Sequence, residues 1–421
     1  MKIKVRKLPT SSFYRNILIM FRGTLLAQVI AIIGAVFIAK IYGAEAYGVF
    51  GVFISLISII SVIASLQLDQ CIVLSKNKKE SINWFNFLMV LIPLLSLLIS
   101  TLLFLFSSNF YDKKLSLNFI ILSFLGSLFL SLNLINEKIF TFKKEFTILS
   151  NSKIFLTLSN ISFQFLLYHF FSLFGLILGF LISQFVIFLF YVFKNSSILS
   201  KINFRQIKKG LQQNKSIVKY LLPSTVINSL ANNLMPILIL TFFGAKEAGV
   251  YFFSLKIIGT PLFVISSSIS NVFFQKSSEL LKENKTELFK LTKKIILINL
   301  LLILACLIFI NTFGITILES VFDNKWINLR SYSLILSVLI LARSTFNPIS
   351  SLVVVLNKNR QSLIFNIYLF GINLIAIYFG DLYNDLTITI FILAIFGGAG
   401  YILLLAYFLK HLKFISKKNV Q

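Results

Sequence analysis

The chain has 421 residues, of which 57% are hydrophobic and only 13% are charged. A soluble domain carries about 25% charged residues, so this composition excludes a water-soluble globule. On a soluble protein, the formal net charge of +26 would suggest nucleic acid as a partner. Here the basic residues fall between hydrophobic runs, so we interpret them as a membrane topology signal and expect no nucleic-acid partner.

Hydrophobic runs of about 20 residues recur along the chain, which is the length that a helix needs to cross a ~30 Å hydrocarbon core. The pattern predicts an all-α polytopic membrane protein with twelve transmembrane helices. The predicted spans are 17–41, 46–68, 84–106, 115–136, 150–170, 172–193, 220–243, 247–274, 294–318, 331–356, 362–380 and 386–409. The longest polar connection, 194–219, separates two groups of six. We therefore predict an N-terminal lobe at 1–200 and a C-terminal lobe at 201–421.

Lys and Arg residues predict the orientation, because acidic residues contribute little to it. Placing the N-terminus in the cytoplasm assigns 31 basic residues to the cytoplasmic side and six to the opposite side. Those six are Lys40, Lys113, Lys114, Lys246, Lys325 and Arg330. The asymmetry predicts that both termini are cytoplasmic. The connection 194–219 mixes apolar with basic residues, which is typical of an amphipathic helix on the inner leaflet and also of a plain connecting helix.

A short motif occurs twice, between the first and second helix of each group of six. Gly43–Phe50 and Gly244–Tyr251 share the pattern Gly-Ala-x-x-x-Gly-Val-aromatic, at an offset of 201 residues. Both copies follow a helix that begins on the same side of the membrane. The sequence therefore predicts a parallel internal repeat, related by an axis along the membrane normal.

The helix that carries Gln28, the two glycine turns and the basic connection after six spans resemble one transporter group. It is the polysaccharide-exporting branch of the multidrug/oligosaccharidyl-lipid/polysaccharide superfamily, and above all its Wzx-type O-antigen flippases. The resemblance implies two six-helix lobes around a central cavity, as in multidrug and toxin extruders. It also implies a bacterial inner membrane location and a polyprenyl-diphosphate-linked O-antigen or capsule unit as substrate. Polysaccharide assembly proteins are candidate partners.

Three basic residues fall inside predicted spans: Arg22, Lys256 and Arg343. A charge in mid-membrane costs ~2.5–3.5 kcal/mol, so such residues should face a cavity or a partner. Lys256 lies about 12 Å and Arg343 about 16 Å into its helix. Arg22 lies about 8 Å from the inner edge and could instead extend its side chain to the interface. Asp69 could pair with Arg22 or lie at a solvated helix end.

Polar stripes run along three helices of the second group. At helical spacing, the stripes are Ser224, Asn228 and Asn232; Lys256, Thr260, Ser267 and Asn271; and Arg343, Asn347, Ser350 and Ser351. Pro236, Pro261 and Pro348 each remove a backbone hydrogen bond beside a stripe, which predicts bending there. The expected substrate-binding residues are Arg22, Gln28, Asn228, Asn232, Lys256, Arg343 and Asn347. Alternatively, the polar side chains bond neighbouring helices together.

Three functions fit a chain of this kind. Cations without acidic partners favour a flippase for an anionic lipid-linked glycan. A cation-coupled multidrug exporter on the same scaffold is the alternative, although such exporters normally need intramembrane carboxylates. A polysaccharide polymerase or ligase usually has a large external loop, and here every predicted external loop is short. No metal site, nucleophile triad or phosphate-binding loop is recognisable, so we expect a transporter without cofactor or metal rather than an enzyme.

Overall fold

A computed structural model describes residues 10–110, 117–195, 201–214, 217–322, 326–356 and 358–417. All regular elements in these ranges are helical. They are α1 (Thr10–Ser65), α2 (Gln70–Leu74), α3 (Lys78–Phe110), α4 (Leu117–Lys143), α5 (Phe146–Phe171), α6 (Gly175–Lys194), α7 (Phe204–Gln213), α8 (Leu222–Phe243), α9 (Ala245–Glu283), α10 (Lys285–Phe309), α11 (Ile315–Phe322), α12 (Leu329–Phe346), α13 (Leu352–Val355), α14 (Asn359–Leu382), α15 (Leu386–Ile392) and α16 (Gly398–Lys417).

Eleven helical segments of the described ranges are long and apolar enough to cross a membrane. The first, Arg22–Ser65, has 44 residues, enough for two crossings of about 20 residues each. Its backbone is not helical at Gly43, which divides it into two arms. The twelve predicted spans therefore correspond to these eleven segments, with the first counted twice. This confirms the predicted all-α polytopic class.

The two copies of the repeated motif begin with the same backbone conformation. Gly43 has φ 78° and ψ 177°, and Gly244 has φ 89° and ψ 173°. These angles lie in a region that essentially only glycine adopts. Each glycine separates the helix before it from the helix that carries the rest of the motif. The structure thus confirms that the repeat marks equivalent breaks in the two halves.

The first compact unit consists of residues Met1–Ile38 and Ile60–Leu222. Its core is a cluster of buried aromatic and aliphatic side chains around Trp84, Phe140 and Tyr191. The Tyr191 hydroxyl lies 2.7 Å from the Ser152 hydroxyl, so its polar end is satisfied inside this core. Most side chains on the outer faces of α3 and α5 are exposed and apolar, as expected where helices meet lipid.

The second compact unit consists of residues Ala39–Ile59 and Pro223–Gln421. Its core is built around Phe346, Ile349, Tyr401 and Phe408. Because Ala39–Ile59 belongs to this unit, it contains both copies of the repeated motif, Gly43–Phe50 and Gly244–Tyr251. The predicted division into lobes at 1–200 and 201–421 stays a prediction.

Some residues used in the sequence predictions lie outside the described part of the chain. They are the N-terminal basic residues before Thr10, Lys215 and Lys418 on the predicted cytoplasmic side, and Lys113, Lys114 and Lys325 on the predicted external side. The side chain of Asn271, the last member of the Lys256 stripe, also lies outside it.

Candidate functional site

Lys256 lies near the middle of the span that α9 forms. The span is Ala245–Ser267, so Lys256 lies about 16 Å from its start. Its ammonium group is 5.5 Å from the centroid of the Tyr47 ring, a cation–π contact. No described carboxylate forms an ion pair with Lys256. Its charge at mid-span is therefore stabilised by an aromatic face rather than by an anion.

The Tyr47 ring is held by other aromatic rings of the second unit. Tyr47 is only 1% exposed, and its ring packs edge-on against Phe253 at 5.5 Å and Trp326 at 5.8 Å between centroids. Such edge-to-face contacts fix the orientation of a ring. This role of Tyr47 was not predicted from the sequence, although Tyr47 lies inside the first copy of the repeat.

Arg343 lies on α12, which packs against α9, and its side chain is exposed. Among the described residues, no acidic side chain pairs with it. Arg343 lies inside the candidate span Leu329–Ile349. A guanidinium within a span is costly in lipid, so its exposed surface requires water or an anion.

The helix that carries Arg343 breaks one turn later. Asn347–Ile349 forms a 3₁₀ turn around Pro348, and α13 follows. At Pro348 the α-helix gives way to this 3₁₀ turn, whereas α8 and α9 continue as α-helices through Pro236 and Pro261. On the Arg343 stripe, the Asn347 side-chain amide nitrogen and the Ser351 hydroxyl are buried and have no hydrogen-bond partner in the described structure. These donors remain available to a ligand or to water.

The carbonyl group that Pro348 deprives of its helical donor is that of Ser344. Two other helices supply donors to it. The Ser266 hydroxyl of α9 donates to the Ser344 oxygen at 3.1 Å, and the Asn299 amide of α10 donates to it at 2.8 Å. These bonds offset the cost of breaking the helix, because a buried carbonyl without a partner costs about 1–3 kcal/mol.

The amides on α8 bond to each other. The Asn232 side-chain amide donates to the backbone oxygen of Asn228 at 2.7 Å and to its side-chain oxygen at 2.6 Å. The Asn228 side chain is exposed. Near the Pro236 position, the Asn373 amide donates to the Ala231 carbonyl at 2.6 Å. The Asn373 side chain therefore bonds α14 to α8. This is what the alternative interpretation predicts, in which polar side chains bond neighbouring helices together.

Arg22 and Gln28 lie on the first arm of α1, in the first unit. Arg22 is exposed and Gln28 is partly buried. The predicted pairing of Asp69 with Arg22 is wrong, and Asp69 is not a solvated helix end either. Asp69 is 8% exposed, and its carboxylate lies 3.6 Å from the Lys138 ammonium of α4. Lys138 lies just after the predicted span 115–136, in a predicted cytoplasmic loop, so its pairing with Asp69 was not predicted.

The described residues contain no group of three or more His, Cys, Asp and Glu side chains that could hold a metal ion. The polar stripes of the second unit instead carry cations, amides and hydroxyls. Such groups bind anions and hydroxyls by charge and hydrogen bonds.

One protein family matches the chain over most of its length. The family is described as "Polysaccharide biosynthesis protein", and its model matches residues 21–331. Among curated proteins, none matches the chain in a sequence comparison.

Solved membrane transporters have a similar fold. The lipid II flippase MurJ in an inward closed conformation is 13% identical and has a TM-score of 0.74, with 96% of this chain and 91% of that chain covered. A MATE protein in complex with MaD3S is 17% identical with a TM-score of 0.61, covering 94% and 96%. A transporter of the multidrug/oligosaccharidyl-lipid/polysaccharide superfamily from Pyrococcus furiosus is 16% identical with a TM-score of 0.57, covering 94% and 96%. At these identities the likeness concerns the fold.

Proposed function

The chain belongs to the polysaccharide biosynthesis protein family, and from this premise we propose that it is a lipid-linked oligosaccharide flippase. Its substrate would be a polyprenyl-diphosphate-linked repeat unit of O-antigen or capsule, carried from the inner to the outer leaflet of the bacterial inner membrane. Its fold neighbours include a protein named as a lipid II flippase, which supports a lipid-linked substrate. The coarser conclusion, a multi-pass membrane transporter, follows from the family, the fold and the eleven apolar helices.

One observation carries the proposed substrate class. Lys256 and Arg343 lie on packed neighbouring helices within their spans, and no described carboxylate pairs with either. Retaining two unpaired charges at this depth costs several kcal/mol. Binding of a diphosphate would offset that free-energy cost. A guanidinium can bind two of its oxygens at once, and an ammonium binds as a point charge.

The surroundings of the two cations support separate roles. Arg343 shares its stripe with the unpartnered donors of Asn347 and Ser351, so this stripe offers both charge and neutral donors. We propose that the Arg343 stripe binds the diphosphate and the hydroxyls of the first sugar. Lys256, held over Tyr47, would contribute a second positive charge. Gln28, Arg22, Asn228 and Asn232 remain proposed contacts to the rest of the glycan.

The proposed mechanism is alternating access. The diphosphate and sugars bind while the site is open to the cytoplasm, and the site then opens outward while the polyprenyl chain stays in lipid. Because the protein cations do not travel, the ligand's own negative charges move outward. An inside-negative potential favours this movement by ~2.3 kcal/mol per charge per 100 mV.

The decisive experiment is deletion of the gene in its host, followed by separate assays of the two leaflets. We expect surface glycan to disappear and the lipid-linked intermediate to accumulate on the cytoplasmic side, where an enzyme added to inside-out vesicles can reach it. Expression of the chain should restore both. Normal glycan display in the deletion strain would overturn the proposal. Loss of resistance to lipophilic cations instead would indicate the multidrug exporter.

A further inference from the structure

The amphipathic helix α7 packs most of its apolar face on protein, whereas Phe204 at its start is 67% exposed. Ile207 is 3% exposed and belongs to the core of the first unit. Gly210 approaches the indole of Trp84 on α3 so closely that a Cβ atom would lie 2.6 Å from the ring. The apolar face of α7 is therefore used to dock the helix on α3. Of the two interpretations of this connection, a helix lying on the inner leaflet and a plain connecting helix, this packing favours the connecting helix.

Hydrogen bonds fix the start of α7 on the same helix. The Asn83 amide donates to the Asn203 carbonyl at 3.0 Å, and the Asn203 backbone N–H donates to the Asn83 side-chain oxygen at 2.8 Å. The Asn203 side chain also caps α7 by accepting from the Gln206 N–H at 3.1 Å. Two paired amides and a cap hold α7 in one rotational setting about its axis.

This setting directs the charged side of α7 outward. Arg205, Lys208 and Lys209 are all exposed and lie on the side of the helix opposite Ile207 and Gly210. We call these three residues the α7 basic face. Lys201, just before the helix, is also exposed. The α7 segment itself contains no acidic residue. Its charge is therefore not neutralised by its own helix.

The depth of α7 follows from its contacts on α3. The candidate span of α3 begins at Lys78, and α7 packs on Asn83 and Trp84, about 8–9 Å along the helix axis. The polar headgroup region adds about 5–8 Å to each side of the hydrocarbon core. α7 therefore packs beside the first two turns of this span, and its basic face lies near the membrane surface at which α3 begins.

Charge and depth together identify a partner. We propose that the α7 basic face binds anionic phospholipid headgroups, such as phosphatidylglycerol, at the membrane surface where α3 begins. Each basic residue near a charged membrane surface contributes about 1 kcal/mol, which is about a fivefold gain in affinity. Three such residues predict a preference on the order of 100-fold for an anionic lipid over a zwitterionic one at this position.

The test compares lipid binding by two triple variants of the full-length protein. Purified protein is delipidated in detergent, offered phosphatidylglycerol or phosphatidylcholine, and analysed by native mass spectrometry. The variant Arg205→Gln, Lys208→Gln, Lys209→Gln removes the α7 basic face. The matched control, Lys290→Gln, Lys293→Gln, Lys294→Gln, removes three exposed basic residues from α10. Circular dichroism and size-exclusion chromatography verify that both variants are folded.

We expect the unaltered protein and the α10 control to retain phosphatidylglycerol in preference to phosphatidylcholine. The α7 variant should bind phosphatidylglycerol at least tenfold more weakly, and 0.5 M salt should weaken binding by the unaltered protein. Lys208→Arg with Lys209→Arg should bind normally, because it keeps the charge. Equal phosphatidylglycerol binding by the α7 variant and the α10 control would overturn the proposal. So would equal retention of the two lipids by the unaltered protein.

Discussion

Gly48 and Gly249 lie at equivalent positions of the two repeats, and each contacts the backbone of the other copy. A Cβ atom on Gly48 would overlap with the carbonyl oxygen of Ala245, and one on Gly249 would overlap with that of Ala44. Ala44 and Ala245 are themselves equivalent positions. The second helices of the two halves therefore cross through reciprocal small-xxx-small contacts, which allow backbones to approach closely in membranes.

Gly48→Ala and Gly249→Ala should each destabilise the protein. Each added methyl group would meet a backbone carbonyl that cannot rotate away, and overpacking of this kind costs about 1–3 kcal/mol. Thermal unfolding in detergent should show a lower midpoint for both variants, by similar amounts. Gly371→Ala is the control, since nothing lies within 4 Å of its Cβ position. Unchanged midpoints in the two repeat variants would contradict the reciprocal crossing.

Substitutions at the helix breaks, Gly43 and Gly244, should also destabilise the protein, but through backbone strain rather than overpacking. A Cβ atom at either position would meet no heavy atom within 4 Å, so any loss comes from the positive φ alone. Gly43→Ala and Gly244→Ala should therefore each cost about 1–3 kcal/mol of backbone strain. Gly43→Asn and Gly244→Asn should cost about as much, because Asn is favoured in the left-handed helical region and not at ψ near 180°. Thermal unfolding measures the loss, and midpoints of the Ala variants equal to that of the unaltered protein would show that these positions carry no backbone strain.

The number of crossings and the repeat were predictable because both leave a local pattern in the sequence. A helix in lipid needs an uninterrupted apolar run, and a break that only glycine tolerates leaves a glycine at both equivalent positions. The crossing of Gly48 with Gly249 was not predictable. It depends on which faces of distant helices meet. A small residue in the sequence is compatible with a loop and with a helix-packing site, so it does not identify the contact.

Lys256→Ala and Arg343→Ala should abolish glycan export without lowering the amount of protein in the membrane. Removing an unpaired charge from a span relieves an insertion cost, so abundance should be equal or higher. Surface glycan and membrane protein are measured together in the deletion strain. Lys256→Arg should keep partial activity, because it retains the charge and the contact with the Tyr47 ring but changes the geometry.

Lys246→Ala is the matched control for these variants. Lys246 is an exposed basic residue at the start of α9, ten positions before Lys256, and its loss should leave export unchanged. If Lys256→Ala and Arg343→Ala both display normal glycan at normal abundance, the two cations do not bind the substrate. Asn228 and Asn232 would then be the next candidates.

Topology provides a prediction that is independent of the substrate. Reporter fusions at Lys209 and Lys285 should be cytoplasmic, and fusions at Lys113 and Asp323 should be external, because Lys and Arg collect on the cytoplasmic side. Activity of paired alkaline phosphatase and fluorescent protein fusions measures each position. The two external sites lie outside the described residues. One reversed site among the four would contradict the twelve-span topology.

Asp69 should make stability depend on pH. Burial raises the pKa of its carboxyl above the ordinary range, and the Lys138 ammonium opposes this only in part. The folded protein then binds the proton more tightly than the unfolded chain does. The protonated Asp69 carboxyl therefore contributes stability that is fully present below the unfolded-state pKa of about 3.9. This stability is lost as the pH rises through the folded-state pKa.

The comparison that tests this is Asp69→Asn, which cannot titrate. Between pH 7 and pH 4, the unaltered protein should gain stability relative to the variant, measured as the difference between their thermal midpoints at each pH. Parallel midpoints across this range would show that Asp69 keeps its ordinary pKa when the protein folds.

The cations of the candidate site were predictable, but their surroundings were not. Lys256 and Arg343 stand out because a charge inside an apolar run is costly wherever its helix lies. The Tyr47 ring next to Lys256 belongs to a distant part of the chain, and no local pattern connects the two. The same limit explains Asp69, whose sequence neighbours gave no indication that Lys138 would reach it.

The carbonyl of Ser344 has a mechanical consequence. One oxygen ties three helices together, because α12 carries it while Ser266 of α9 and Asn299 of α10 both donate to it. Any rotation of α12 about its break must either carry α9 and α10 along or release bonds worth about 0.5–1.5 kcal/mol each. Arg343, immediately before Ser344, is thus fixed to a rigid three-helix frame. A force that a bound ligand exerts on the guanidinium would therefore move all three helices together rather than α12 alone.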